Sequence, residues 1–228
     1  MSDWVKYLHS SIGKKQIVAA TGLLLIVFVI AHLAGNLFLY AGPQAFNDYA
    51  QKITGLRPAL YIFEIGLLFV FVIHLWITAL LVMENWRSRG QRYSIYRPSE
   101  ERSLAARLMP YTGTIIFLFV IWHLVDFTFA DRTGPRTVMP DGQSLGLYAI
   151  VYNSFSNPWH SLGYIVAMVA LGFHLTHGLQ SFFQTFGFHH PQYTPLIQKI
   201  SNALGVLMAF GYSTIPVYVL MDSLKYRM

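Results

Sequence analysis

Imidazole can ligate a metal ion, relay a proton or hold a hydrogen bond, and this sequence buries it where it is costly. His32, His74, His123 and His174 each lie deep within a different long apolar run. An ionisable side chain at that depth in a membrane marks a functional site by default. His177 follows one helical turn after His174, on the same face. The other histidines carry less: His9, His189 and His190 sit in polar flanks, and His160 opens an apolar run at its edge. A lone buried histidine commonly bonds a neighbouring helix. One on each of four runs asks for a common purpose.

The runs that position them span about 16–40, 59–83, 110–130, 160–183 and 201–221. Crossing a bilayer takes about 20 mainly apolar residues, so all five qualify. None contains Lys or Arg. The chain is 54% hydrophobic and only 11% charged, against roughly 25% in soluble domains. The expected fold is therefore all-α, an integral membrane bundle of five transmembrane helices, with residues 1–228 forming a single membrane domain. The first apolar run is too long for a cleavable leader and has no cleavage site after it.

Between the runs, residues 42–58 are amphipathic and read as a short interfacial helix. Residues 131–158 hold Gly134, Pro135, Pro140, Gly142 and Pro158 and read as an ordered loop. No internal repeat is evident. Pro216 interrupts the fifth run.

The net charge of +6 follows topology and gives no reason to expect nucleic acid. With the N-terminus cytoplasmic, the inner side holds Lys6, Lys14, Lys15, Arg87, Arg89, Arg92, Arg97, Arg102, Arg107 and Lys199. The outer side holds only Lys52, Arg57, Arg132, Arg136, Lys225 and Arg227. That excess sets the N-terminus inside and, after five spans, the C-terminus outside a cytoplasmic membrane.

Depth sorts the histidines. At 1.5 Å per residue, His32 and His123 lie about 24 and about 20 Å from the inner edge, and His74 and His174 about 14 Å. His32 and His123 thus form an outer level, His74 and His174 an inner one. Two histidines on facing helices at one level supply the two axial nitrogens of a six-coordinate haem b. Zinc or non-haem iron would gather its ligands at one point, with carboxylates among them. The absence of cysteine excludes a protein-ligated iron–sulfur cluster and thiolate ligation. Gly35 and Gly178 share a face with His32 and His174, leaving room for a flat ring. Two haems stacked across the bilayer would join its two sides. The competing reading is a haem-free transporter with a histidine proton relay, for which broken helices and inverted repeats would be expected.

The Gly13-Lys14-Lys15 run leading into Thr21-Gly22-Leu23, the His-Leu-Ala-Gly-Asn run at 32–36 and the Phe-His-Leu-Thr-His-Gly-Leu run at 173–179 resemble the cytochrome b membrane subunits of succinate:quinone oxidoreductases, the succinate dehydrogenases and fumarate reductases. The resemblance is to the single-subunit, five-helix, two-haem type. It implies His32 and His123 as ligands of the distal haem iron, and His74 and His174 of the proximal one. It favours His174 over His177, which would compete or reach a propionate. It implies an anchor that binds a flavoprotein and an iron–sulfur subunit on its cytoplasmic face and passes electrons to a quinone, usually menaquinone. It implies no succinate chemistry by the chain itself. The basic stretch 87–107 would suit docking or lipid headgroups alike. Cytochromes b of other respiratory complexes tend to have four spans. Some relatives carry a glutamate on the fourth span just before the ligand, whereas this chain has Leu171-Gly172-Phe173.

Quinone chemistry needs a proton-exchanging group. Glu64, early in the second run, and Asp126, three residues after His123, are the candidates, with Asp48 a weaker third. Each could equally be a paired polar group at the interface.

Overall fold

The computed structural model describes residues 2–88, 104–139 and 141–225. The basic residues Arg89, Arg92, Arg97, Arg102 and Arg227, and Pro140, lie outside the described residues. Five helices are long and apolar enough to cross a membrane. They are α2 (Ser11–Asn36), α4 (Ala59–Arg87), α5 (Leu104–His123), α7 (Pro158–Thr185) and α8 (Thr194–Lys225). Three shorter helices are α1 (Asp3–His9), α3 (Pro43–Thr54) and α6 (Gly146–Phe155). Among the described residues there is no sheet; an isolated antiparallel bridge joins Val138 and Ser144.

Each spanning helix runs past its apolar stretch at one end at least, because backbone bonding continues into the polar flanks where caps can stop it. The Ser10 hydroxyl accepts from the Gly13 N–H at 3.1 Å and starts α2. The Asn157 side-chain oxygen Oδ1 accepts from the Trp159 N–H at 2.9 Å, with Pro158 in the first turn of α7. α2 tightens into a 3-10 turn over Leu37–Ala41. Gly42, at φ +94°, then turns the chain into the expected interfacial helix α3.

α7 is the hub, packing on α8, α5 and α2. α4 packs chiefly on α2 and has no buried residue. Its outward face of Ile62, Phe63, Ile65, Leu68, Phe69 and Trp76 is exposed, as a lipid-facing surface must be. At the N-terminal end of α2, Lys14 pairs with Glu84 of α4.

Two sequence expectations are corrected. Pro216 does not break the fifth span: α8 runs through it unbroken. A proline removes one helical donor, a loss that packed membrane helices tolerate. The stretch 131–158 is no mere loop. It contains α6, whose Ala149 and Ile150 are fully buried, and whose Tyr148, Tyr152 and Phe155 join the core with Leu39 and Phe46. α6 is tied to α3 by Asn47, which donates to the Leu145 carbonyl at 2.6 Å and accepts from the Tyr148 N–H at 3.0 Å. At ten residues it is too short to span, so hydropathy alone assigns it outside. It packs as a lid on the bundle.

Candidate functional site: two histidine pairs at two depths

The pair expected at the outer level is formed by α2 and α5. The rings of His32 and His123 meet at 88° with centroids 5.8 Å apart. Phe28 stacks on His32, and Tyr212 lies 6.2 Å from it. Tyr212 donates to the Val29 carbonyl at 2.7 Å, pinning α8 to α2 at this level. Phe119, Phe127 and Tyr164 surround His123. Nδ1 of His123 is buried without a hydrogen-bond partner. A buried, unpartnered ring nitrogen is costly in isolation and has an obvious use as a ligand or bond donor.

The inner pair is formed by α4 and α7. His177 lies one turn beyond His174 on α7. Each inner ring is held from a neighbouring helix. His74 Nδ1 lies 3.1 Å from the Thr21 hydroxyl on α2. His174 Nδ1 lies 3.3 Å from the Thr112 hydroxyl on α5. Beside each threonine is a glycine: a Cβ on Gly22 would stand 3.2 Å from His74 Cε1, and one on Gly113 3.5 Å from His174 Cε1.

This arrangement exposes a repeat that sequence reading missed. Thr21-Gly22, Phe28-Val29-Ile30 and His32-Leu33 recur at identical spacing as Thr112-Gly113, Phe119-Val120-Ile121 and His123-Leu124. The first and third spans therefore carry the same equipment: an outer histidine, and an inner Thr-Gly that meets the next span's histidine. The signal was visible on aligning the two runs. It is lost in a whole-chain comparison because the second and fourth spans share little beyond His-Leu.

Gly35 does not leave space for a ring. A side chain there would run into the Tyr49 hydroxyl and ring from α3. Gly178 does face open space. Gly172 is closed off, since a Cβ there would stand 2.7 Å from the Gly205 carbonyl of α8. The acid some relatives carry just before the ligand has no room at this position.

Asp126 lies in a single π turn, Leu124–Thr128, that directly follows His123. Its carboxylate accepts from the Tyr164 hydroxyl at 2.9 Å and lies 3.1 Å from His160 Nε2, which is not aligned for a hydrogen bond. It is a paired group buried between α5 and α7. His160, expected at the interface, turns inward as its neighbour. Glu64 is exposed on α4, and Asp48 is exposed on α3. His9, His189 and His190 are exposed.

Among the described residues no group of three or more His, Asp and Glu side chains could hold a metal ion. Two imidazoles are enough for the axial positions of a haem iron, whose macrocycle supplies the remaining ligands. Two imidazoles on opposite faces of one iron put their centroids roughly 6 Å apart, from bonds of about 2 Å plus the ring radius. The outer pair is spaced for that.

The sequence profile of the succinate dehydrogenase/fumarate reductase transmembrane subunit matches residues 83–212. The chain is 28% identical over 211 residues to the succinate dehydrogenase cytochrome b558 subunit of Bacillus subtilis (strain 168), covering 92% of both chains. No solved structure matches it significantly. This five-span bundle belongs to the transmembrane anchor subunits of succinate dehydrogenase and fumarate reductase.

Proposed function

We propose that the chain carries electrons through two b-type haems between an iron–sulfur subunit and membrane quinone, with menaquinone the expected quinone. The observation that carries this reading is the approach of His32 and His123 to 5.8 Å between ring centroids, with His74 and His174 each set against a threonine of a neighbouring helix. The similarity to a cytochrome b558 subunit supports a haem b. A bis-imidazole haem supplies reversible one-electron transfer.

The residues divide the work. His32 and His123 would hold the outer haem, in a shell of Phe28, Phe119, Phe127, Tyr164 and Tyr212 that excludes water. His74 and His174 would hold the inner one, nearest the cytoplasmic face where the flavoprotein and iron–sulfur subunits would dock. The N-terminus would be cytoplasmic and the C-terminus outside. His177 would sit beside the inner haem without ligating it.

Of the two candidate acids, Glu64 is exposed on the lipid-facing helix and open to a quinone arriving through the bilayer. Asp126 is committed to Tyr164. Quinone reduction near Glu64, in the outer leaflet, would move electrons from the inside outward. Each charge crossing is worth about 2.3 kcal/mol per 100 mV of membrane potential. That coupling would help drive menaquinone reduction, which is uphill from succinate.

The test is a dithionite-reduced minus oxidised spectrum of the purified protein, with haem quantified per chain. Two low-spin haems b per chain are expected. One would mean that a pair is misassigned. None, in folded protein supplied with cofactor, would overturn the reading.

A further inference from the structure

His74 and His174 are each set against a threonine hydroxyl, whereas Nδ1 of His123 has no partner. Thr21 Oγ1 lies 2.7 Å from the Ile17 carbonyl of its own helix. Thr112 Oγ1 lies 3.1 Å from the Leu108 carbonyl. A hydroxyl has one proton. Once that proton is donated to the helix carbonyl, only lone pairs face the imidazole. His74 and His174 must therefore donate from Nδ1 to reach Thr21 and Thr112 at 3.1 and 3.3 Å. Nε2 is then the unprotonated nitrogen, the form that can ligate. Gly22 lets the His74 ring lie close against α2, where a Cβ would stand 3.2 Å from Cε1, while at Gly113 a Cβ would make an ordinary 3.5 Å contact with His174. The same solution occurs twice, on two helices, for two rings. At the outer level Nδ1 of His123 is buried without a hydrogen-bond partner.

We infer that Thr21 and Thr112 are positioning residues for the inner histidine pair, fixing its rings and tautomer and lowering the reduction potential of the haem it holds. This rests on the two-haem reading above. The physical basis is general: a hydrogen bond from the far ring nitrogen makes an imidazole a more basic ligand, which favours the oxidised metal.

The experiment uses the assembled complex carrying Thr21→Val, Thr112→Val, the double variant, and Thr21→Ser and Thr112→Ser. Valine keeps the shape and removes the acceptor; serine restores it. Spectroelectrochemical titration reads both midpoints, and haem per chain is counted in every sample. The expected result is a roughly three- to tenfold shift of one haem's equilibrium towards the reduced form, tenfold being about 59 mV for one electron. The double variant should shift further, the serine variants should behave as wild type, and the other haem should stay put. Unchanged midpoints in haem-replete valine variants would overturn the inference. So would equal shifts of both haems, or serine variants that fail to restore the value. Nitrogen-15 spectra of histidine-labelled, haem-free protein test the bond independently of the cofactor: His74 and His174 should be Nδ1-protonated in the wild type and lose that preference in the double valine variant. A wild type without haem would overturn the two-haem reading instead, and the nitrogen spectra would still decide on the threonines.

Discussion

His32 and His123 sit on the first and third spans, yet their rings meet edge to plane, 5.8 Å between centroids and at 88°. Both helices reach this level from the same side of the membrane, and each carries its histidine at the same interval beyond a Thr-Gly pair. The meeting is thus built from two copies of one pattern.

If each pair holds one haem, substitutions within a pair should not add. His32→Ala should lose one haem of two, His123→Ala the same one, and the double variant no more. His32→Ala with His74→Ala should lose both. Residues acting as one unit show this non-additivity. Haem per chain, measured after confirming that each variant is folded, decides the matter.

Asp126 and Tyr164 make a different prediction. Both are buried, and the carboxylate has the tyrosine hydroxyl at 2.9 Å. Tyr164→Phe should destabilise the detergent-solubilised protein by about 1–3 kcal/mol, the range for a buried polar group left short of a partner. Asp126→Asn should cost a similar amount, and the double variant less than the sum. Thermal unfolding of the three variants measures this. Full additivity would mean that the pair does not interact.

Much of this was legible beforehand, and the failures have physical causes. The five spans follow from hydropathy, which is a local property. α6 was missed because burial by a lid needs no spanning length. Gly35 was read as space because Tyr49, which fills that space, arrives from a separate helix. Asp126 sits on the expected face, but its partner Tyr164 is on another span, and nothing in the sequence pairs them. Thr21 and Thr112 look like ordinary small residues within apolar runs. Only the packing of α2 on α4 and α5 on α7 turns them towards histidines.

The loop before α6 offers a test by pH. The Asp131 carboxylate accepts from the Thr133 N–H and hydroxyl, both at 2.8 Å, and these bonds hold its pKa below the ordinary carboxylate value. A lowered pKa means the carboxylate form is favoured in the fold. Its stabilisation is complete above the ordinary value and lost as pH falls through the lowered one. Asp131→Asn should therefore show a small deficit at neutral pH that disappears in acid. The carboxylate is fully exposed, so the deficit should also shrink with salt. Unfolding midpoints of the two proteins across pH read the difference, and a gap that persists in acid would contradict it.

α7 and α8 approach closely where Gly172 meets Gly205. A Cβ on Gly172 would stand 2.7 Å from the Gly205 carbonyl and 2.8 Å from Ala209 Cβ, and one on Gly205 would meet the Gly172 carbonyl at 2.5 Å. The nearest obstacles include backbone atoms, which cannot rotate away. Small residues are what allow membrane helices to approach this closely. Gly172→Ala should therefore cost about 1–3 kcal/mol, as overpacking does, although alanine is the better helix former. Gly172→Leu should cost more and push α8 away. His174 is two residues on, and its bond to Thr112 depends on where α7 sits. Haem loss in Gly172→Leu should accordingly begin with the inner pair and spare the outer. Thermal unfolding together with haem counts separates the two effects. Loss of the outer haem first would mean that α8 supports His32, through Tyr212 and Val29, more than it supports α7.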